Sequence, residues 1–252
     1  MTEPARLIVA MEDDLLIVDE RDRDNSRART ELSGLAPQCL AADPHHPARL
    51  YCGTFGHGLW RTDDTGDSWQ RVNGLNAQQV TSVAVSAQEV EGEFGAVFVG
   101  TEPSAIFRSN DGASTWHECV GLDRLPSAAT WSFPPRPETH HVRWISADPA
   151  VRGRLFVAIE AGALIHSLDG GATWRDRVRG GPYDTHTLVS VRRDSNHLYV
   201  AAGDGYFESD DGGATWRKPE AGLQHRYLWS VAIEPGDAQV VIVSCSRDPW
   251  SA

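Results

Sequence analysis

Nowhere in its 252 residues does the chain hold an apolar run long enough to cross a bilayer. The stretch Leu7-Ile8-Val9-Ala10, which follows Met1–Arg6, is too short for a membrane span or for the apolar centre of a secretory signal. No membrane partner is therefore expected, and the expected location is cytoplasmic. Positive charge is also in short supply: 23 Lys and Arg stand against 35 Asp and Glu, a net charge of −12. A phosphate backbone is gripped by a basic face, so nucleic acid is not an expected partner. Cysteine is sparse, and Cys39, Cys52, Cys119 and Cys245 lack metal-ligand spacing. Three of them fall in strand-like runs, so buried free thiols are expected.

What the chain does have is repetition. Ser209-Asp210-Asp211-Gly212-Gly213-Ala214-Thr215-Trp216 has relatives at Ser167–Trp174 and Ser109–Trp116, and a worn copy at Thr62–Trp69. The tryptophans Trp69, Trp116, Trp174 and Trp216 succeed one another at intervals of 47, 58 and 42 residues. Recurrence at that period signals a repeat architecture. The chemistry of the motif is that of a turn. Asp64, Asp111, Asp169 and Asp211 can accept N–H groups a few residues on, and the glycines supply left-handed backbone. Ser and Thr add local bonds to the backbone, and Trp brings a large apolar plate.

The pattern S-x-D-G-G-x-T-W resembles the Asp-box, or BNR repeat, of sialidases, sortilin-type receptors, xyloglucan-active glycoside hydrolases and photosystem-assembly propellers. The resemblance implies a β-propeller and leaves the function open, because those proteins do different things.

Around each motif the sequence spells four short strands, a to d, rich in Val, Ile, Leu, Phe and Tyr and punctuated by Gly, Asp, Asn or Pro. The units run 38–73, 80–121, 142–178 and 186–220, with partial units at 7–31 and 227–252. The expected fold is a single all-β domain, a β-propeller of four-stranded antiparallel blades. It is expected to have six or seven blades when complete and to be cut short on its C-terminal side here, an irregular closure being the other way to read its ends.

Antiparallel strands put the c-to-d turns, and so the repeated motif, on one face. The b-to-c and d-to-a connections meet on the other, at the channel mouth. There the blade alignment places Glu12, Phe55, Glu102 and Glu160 in one register, with Asp13, Asp14, His57, Asp204 and Tyr206 nearby. Setting Asp148 against Asp194 and Pro149 against Pro235 aligns His140 with His186 and Arg226. Glu102 and Glu160 are the candidate catalytic carboxylates. His140, His141, Arg143, His186, Asp204, Tyr206, Arg226, Tyr227 and Trp229 are the candidate ligand-binding residues. The long Pro-rich connection Leu122–Glu138, carrying Trp131, Phe133 and Arg136, reads as a binding loop or as a rim cap.

Three functions compete. The first is a glycoside hydrolase-like propeller of sialidase type, acting on or binding a carbohydrate or other small polar ligand. Exo-sialidase activity is not expected, because an Arg-Ile-Pro motif and an arginine triad are not found. The second is a non-catalytic propeller binding a protein or small ligand on the same face. The third, a minor one since no cofactor is otherwise called for, uses His140, His141 and His186 with Glu160 or Asp204 to hold a divalent metal. Neighbouring residues on a strand face opposite ways, which argues against His140 and His141 ligating together.

Overall fold

The structure, a computed structural model, describes residues 6–19, 27–234 and 237–251. Its strands are β1 (Arg6–Ala10), β2 (Leu15–Asp19), β3 (Arg27–Glu31), β4 (Pro37–Ala42), β5 (Leu50–Thr54), β6 (Gly58–Thr62) and β7 (Gln70–Arg71). There follow β8 (Val80–Glu91), β9 (Phe94–Thr101), β10 (Ile106–Ser109), β11 (His117–Glu118), β12 (Val142–Ala147), β13 (Leu155–Ile159) and β14 (Ala163–Ser167). The last are β15 (Thr185–Val191), β16 (Asp194–Ala202), β17 (Gly205–Ser209), β18 (Tyr227–Glu234) and β19 (Asp237–Ser246). Consecutive strands form the antiparallel sheets β1–β3, β4–β7, β8–β11, β12–β14, β15–β17 and β18–β19. The first strands β4, β8, β12, β15 and β18 lie side by side in chain order. This is the radial arrangement of propeller blades. The fold is all-β.

Fewer blades are four-stranded than the sequence suggests. In the fourth and fifth sheets the expected outer strand shrinks to one bridge, His166 with Arg175 and Glu208 with Arg217. Beyond Arg175, the Asp176 carboxylate is drawn off to accept the Ser127 N–H at 2.7 Å and hydroxyl at 2.5 Å. Beyond Arg217 comes Pro219, which has no N–H to give a ladder.

The core lies between blades. Phe98 and Ile106 of the third sheet pack with Ile145, Leu155 and Ile159 of the fourth. Phe156 and Leu164 pack in turn with Leu188, Leu198 and Phe207 of the fifth. Polar stitches run along the axis: Thr81 donates to Val142 O at 2.7 Å, Trp144 Nε1 to Leu188 O at 3.1 Å, and Thr187 to Trp229 O at 3.1 Å. All four cysteines are thiols, with Cys52 and Cys119 buried.

The repeated turns share one bonding scheme. Ser209 Oγ donates to Asp211 Oδ1 at 2.8 Å and receives the Gly213 N–H at 2.9 Å. Asp211 in turn accepts the Thr215 N–H at 2.8 Å and hydroxyl at 2.6 Å. The same four bonds recur around Asp64, Asp111 and Asp169. Gly212 and Gly213 sit at φ 70° and 88°, where the worn copies tolerate Thr65 at 57° and Ala113 at 70°. The turns also join blades. Arg29, Arg61 and Arg108 donate to the carbonyls of Gly66, Gly112 and Gly170 in the next sheet at 2.6, 2.9 and 2.9 Å.

Asp211→Ala removes a set of these bonds and is expected to lower stability by about 1–2 kcal/mol, read from the denaturant midpoint. The turn carboxylates also set an acid limit. Burial, the largest single influence on Asp111, acts upward, but the bonds from Thr115, Ser109 and Ser114 outweigh it and hold its carboxyl at about 2. Asp169 and Asp211 are lowered chiefly by the hydroxyls of Thr173 and Thr215. Folded values below the unfolded one mean that this stabilisation is complete above the usual carboxylate range and is lost as pH falls through the lowered values. A pH series of denaturant midpoints is expected to fall below about pH 4, and Asp211→Ala to flatten that fall.

Candidate functional site

Because hairpins alternate ends, the turns of the repeated motif and the β9–β10 and β13–β14 hairpins lie at opposite ends of the sheets. The ladder registers show how the second end is furnished. Every inner strand from β4 to β18 slips its register at the mouth, between Pro37 and Cys39, Val80 and Ser82, Val142 and Trp144, Thr185 and Thr187, and Leu228 and Ser230. A bulge re-aims the residue it leaves unpaired. In the last three sheets that residue is Arg143, His186 and Trp229, preceded two positions earlier by His141, Asp184 and Tyr227.

This register corrects the sequence alignment. His186 is equivalent to Arg143 and Trp229, not to His140 and Arg226. The mismatch arises between β12 and β13, where Asp148 caps a loop by accepting the N–H groups of Ala150 and Val151, both at 2.8 Å. Asp194 instead opens strand β16. Aligning the two aspartates therefore shifted the frame. Pro235, the other anchor of that alignment, lies outside the described residues.

Three blades contribute to one line of acids and imidazoles. Glu102 follows β9 and is held by Arg136, Nε to Oε1 at 2.9 Å and Nη2 to Oε2 at 2.6 Å. The guanidinium sits 5.4 Å from the Phe55 ring and 4.9 Å from that of Phe133. His141 stands between the two glutamates, with Nδ1 3.6 Å from Glu102 and Nε2 2.7 Å from Glu160 Oε2. Arg143 Nε approaches the same Glu160 oxygen at 3.5 Å. Glu160 Oε1 faces His186 Nε2 at 3.7 Å, and Asp184 Oδ1 lies 3.7 Å from that nitrogen. The nearest ligand-type atoms of Glu160, Asp184 and His186 are all within 4.8 Å of one another.

Local backbone explains why Asp184 is there. Ala161, in left-handed conformation at φ 48°, aims its N–H at Asp184 Oδ1 at 2.8 Å. Asp204 accepts the N–H groups of Tyr183 and Asp184 at 3.2 and 3.0 Å, fixing the lead-in to β15. The position that carries Glu102 and Glu160 in the third and fourth sheets is Gly203 in the fifth. Asp184 Oδ2 would lie 2.0 Å from a Cβ placed there. The neighbouring strand thus delivers the carboxylate that this hairpin lacks.

Electrostatics separates the two acids. Burial, the largest influence on Glu160, pushes its carboxyl up, but the bond from His141 and the charges of Arg143, His141 and His186 prevail and lower it. Burial raises Asp184, and Glu160 and Asp204 add to the rise against the pull of His186 and the Ala161 N–H. Burial lifts the Tyr227 phenol to about 12, with Asp184 and Glu160 contributing.

Above the acids lies a cavity of about 460 Å³ walled by Phe133, Tyr227, Trp229 and Trp250, with Glu160 and Asp184 in its lining. Trp229 stacks on His186, centroids 5.1 Å apart and planes at 17°, and donates Nε1 to Ser246 Oγ at 3.2 Å.

Of the sequence candidates, Glu102, His141, Arg143, Glu160, His186, Tyr227 and Trp229 converge here, and Asp204 acts through the backbone. Three do not. His140 lies just ahead of β12 and makes an edge-to-face contact with Trp131, centroids 5.5 Å apart. Tyr206 is buried in the core with Tyr199, Leu228 and Val231. Arg226 is exposed and pairs with Glu220 at 2.7 Å. Sequence reasoning missed Asp184 as a site residue and noted Arg136 only as part of the long Pro-rich connection. Recognising His141-Val142-Arg143, Asp184-Thr185-His186 and Tyr227-Leu228-Trp229 as one repeated triplet would have found Asp184.

No protein-family model matches the chain. A xyloglucanase from Paenibacillus sp is 24 % identical over 253 residues, covering 84 % of this chain and 22 % of the relative. The chain thus spans about a quarter of the length of the curated relatives it matches. The solved GH74 enzyme of Niastella koreensis superposes with TM-score 0.70 at 18 % identity, over 96 % of this chain and 42 % of that one. The COPII outer coat vertex on membranes superposes with TM-score 0.67 at 10 % identity, over 98 % and 65 % of the two chains. Likeness at these structural identities is one of fold.

Proposed function

We propose that the chain is a glycoside hydrolase-like propeller that binds a carbohydrate in the cavity at the mouth. The observation that carries this reading is the cavity's make-up: aromatic plates from Phe133, Tyr227, Trp229 and Trp250 over a floor containing Glu160 and Asp184. Sugar rings present apolar faces to aromatic plates and hydroxyl edges to carboxylates and imidazoles, so one wall of each kind suits them. The similarity to xyloglucanases supports a glycan as the ligand class.

The test is a glycan array followed by calorimetric titration of the hits. The wild type is expected to bind at least one oligosaccharide. Trp229→Ala and Tyr227→Ala are each expected to weaken it about tenfold, the loss of roughly 1.4 kcal/mol of stacking. An array without hits, or variants that bind as the wild type does, would remove the reading.

One observation favours a second reading, hydrolysis by Glu160 and Asp184. Their carboxylates present oxygens no more than 4.8 Å apart, and retaining glycosidases likewise set their two carboxyl groups close together, about 5–5.5 Å apart. In that case Glu160→Gln and Asp184→Asn would each abolish product release, and the anomeric configuration would be retained. The pair first suggested by the sequence, Glu102 with Glu160, is less apt for this chemistry. His141 occupies the space between them, and Arg136 holds Glu102 in a two-pronged ion pair.

A further inference from the structure

Sugar binding alone does not call for the way His186 is set. The residue is 1 % exposed, and its Nδ1 lies 2.6 Å from the Leu228 carbonyl oxygen. A carbonyl can only accept, so Nδ1 carries a proton, and whenever the ring is neutral its lone pair is at Nε2. Around Nε2 stand Tyr227 OH at 3.5 Å, Glu160 Oε1 at 3.7 Å and Asp184 Oδ1 at 3.7 Å. Each is longer than an ordinary hydrogen bond. In that form the buried lone pair faces two carboxylate oxygens, and the Tyr227 hydroxyl reaches it only at the long distance of 3.5 Å.

We propose that Glu160, Asp184 and His186 hold a divalent transition metal ion. Ligand atoms roughly 2.0–2.2 Å from a central ion stand about 3–4 Å apart, so the present spacing needs only a small contraction. One imidazole nitrogen with two carboxylate oxygens suits Zn²⁺ or Mn²⁺. The outer partners of such a site are already in place. Leu228 O orients the imidazole, the Ala161 N–H holds Asp184, and His141 and Arg143 occupy Glu160 Oε2, leaving Oε1 to turn inward. The positive ion would relieve the repulsion between two carboxylates that face each other. Because Glu160 and Asp184 line the cavity, its remaining coordination positions would border the space assigned to the carbohydrate. The ion site stands independently of that assignment.

The experiment uses the whole chain after dialysis against EDTA and then against metal-free buffer. ZnCl₂ and MnCl₂ are titrated separately by calorimetry, with the ion content of the desalted protein measured by mass spectrometry. One ion per chain is expected. His186→Gln and Asp184→Asn are each expected to weaken binding by roughly 100-fold or more. His197→Gln should leave binding unchanged, although it removes a half-buried imidazole 2.9 Å from Asp194 and 3.0 Å from Asp210. Mn²⁺ should also broaden the His186 ring resonances of the wild type, a reading that requires no variant to fold. The proposal is overturned if neither ion is taken up stoichiometrically, if both ligand variants bind as the wild type does, or if the His186 signals persist with Mn²⁺ bound.

Discussion

Gly203→Ala is expected to dismantle the floor of the cavity while leaving the sheets folded. A Cβ at this position would stand 2.0 Å from Asp184 Oδ2 and 2.8 Å from Tyr227 Cε2, and neither distance is tenable. Asp184 is the softer of the two obstacles, since it is a short side chain leading into a strand. Moving it breaks the bond from the Ala161 N–H and opens the approach between Asp184 and His186. The atoms nearest that Cβ belong to Asp184 and Tyr227 and not to the core residues of the fifth blade, Leu188, Leu198 and Phe207. The expected stability loss is therefore that of local overpacking, about 1–3 kcal/mol. Ligand and ion affinity should fall by at least about tenfold, since a site member is displaced rather than trimmed. Calorimetric titration beside a denaturant curve separates the two effects. A Gly203→Ala protein that binds as well as the wild type would show that Asp184 is not part of the floor.

The second large effect belongs to the opposite end of the blades. Asp148 is fully buried, and Arg154 meets its Oδ2 with Nε at 2.8 Å and Nη2 at 2.6 Å. The same guanidinium also reaches the Ser195 carbonyl in the next sheet. Arg154→Met keeps much of the volume and leaves a buried carboxylate without its counter-charge. Breaking such a pair from one side costs about 3–5 kcal/mol, and the two remaining N–H donors to Asp148 place this case near the lower figure. Arg217 provides the contrast. It too makes two ion pairs, with Glu208 at 2.7 Å and Asp210 at 2.6 Å, but on the surface. Arg217→Met is expected to cost less than about 1 kcal/mol. Chemical denaturation of the two variants side by side would contradict this view if the losses were equal.

The sequence carried the fold further than it carried the site, for a physical reason. The repeated turn is a closed local unit: Asp211, Ser209 and Thr215 bond within a few residues of one another, so eight letters suffice to specify it. Strand alternation and turn residues are likewise local, and they placed the sheets. Where a distant partner decided the outcome, the sequence said less. The outer strand after Trp174 is lost to Ser127, a residue 49 positions from Asp176. The register of β15 depends on whether a connecting loop is capped or tight, which shifted the predicted equivalence of His186. Asp184 has room in the floor because Gly203, a position 19 residues away, carries no side chain. Tyr206 misled for the converse reason. It follows the hairpin that carries Asp204, but its place on β17 turns the ring into the seam between blades.

The central claim is that the ligand sits at the end of the blades away from the repeated turns. A crystal structure of the protein with an oligosaccharide from the glycan array would test it most directly. The sugar is expected against Trp229 and Phe133, with its hydroxyls toward Glu160 and Asp184. A sugar bound instead among the turns of Asp64, Asp111, Asp169 and Asp211 would contradict the claim.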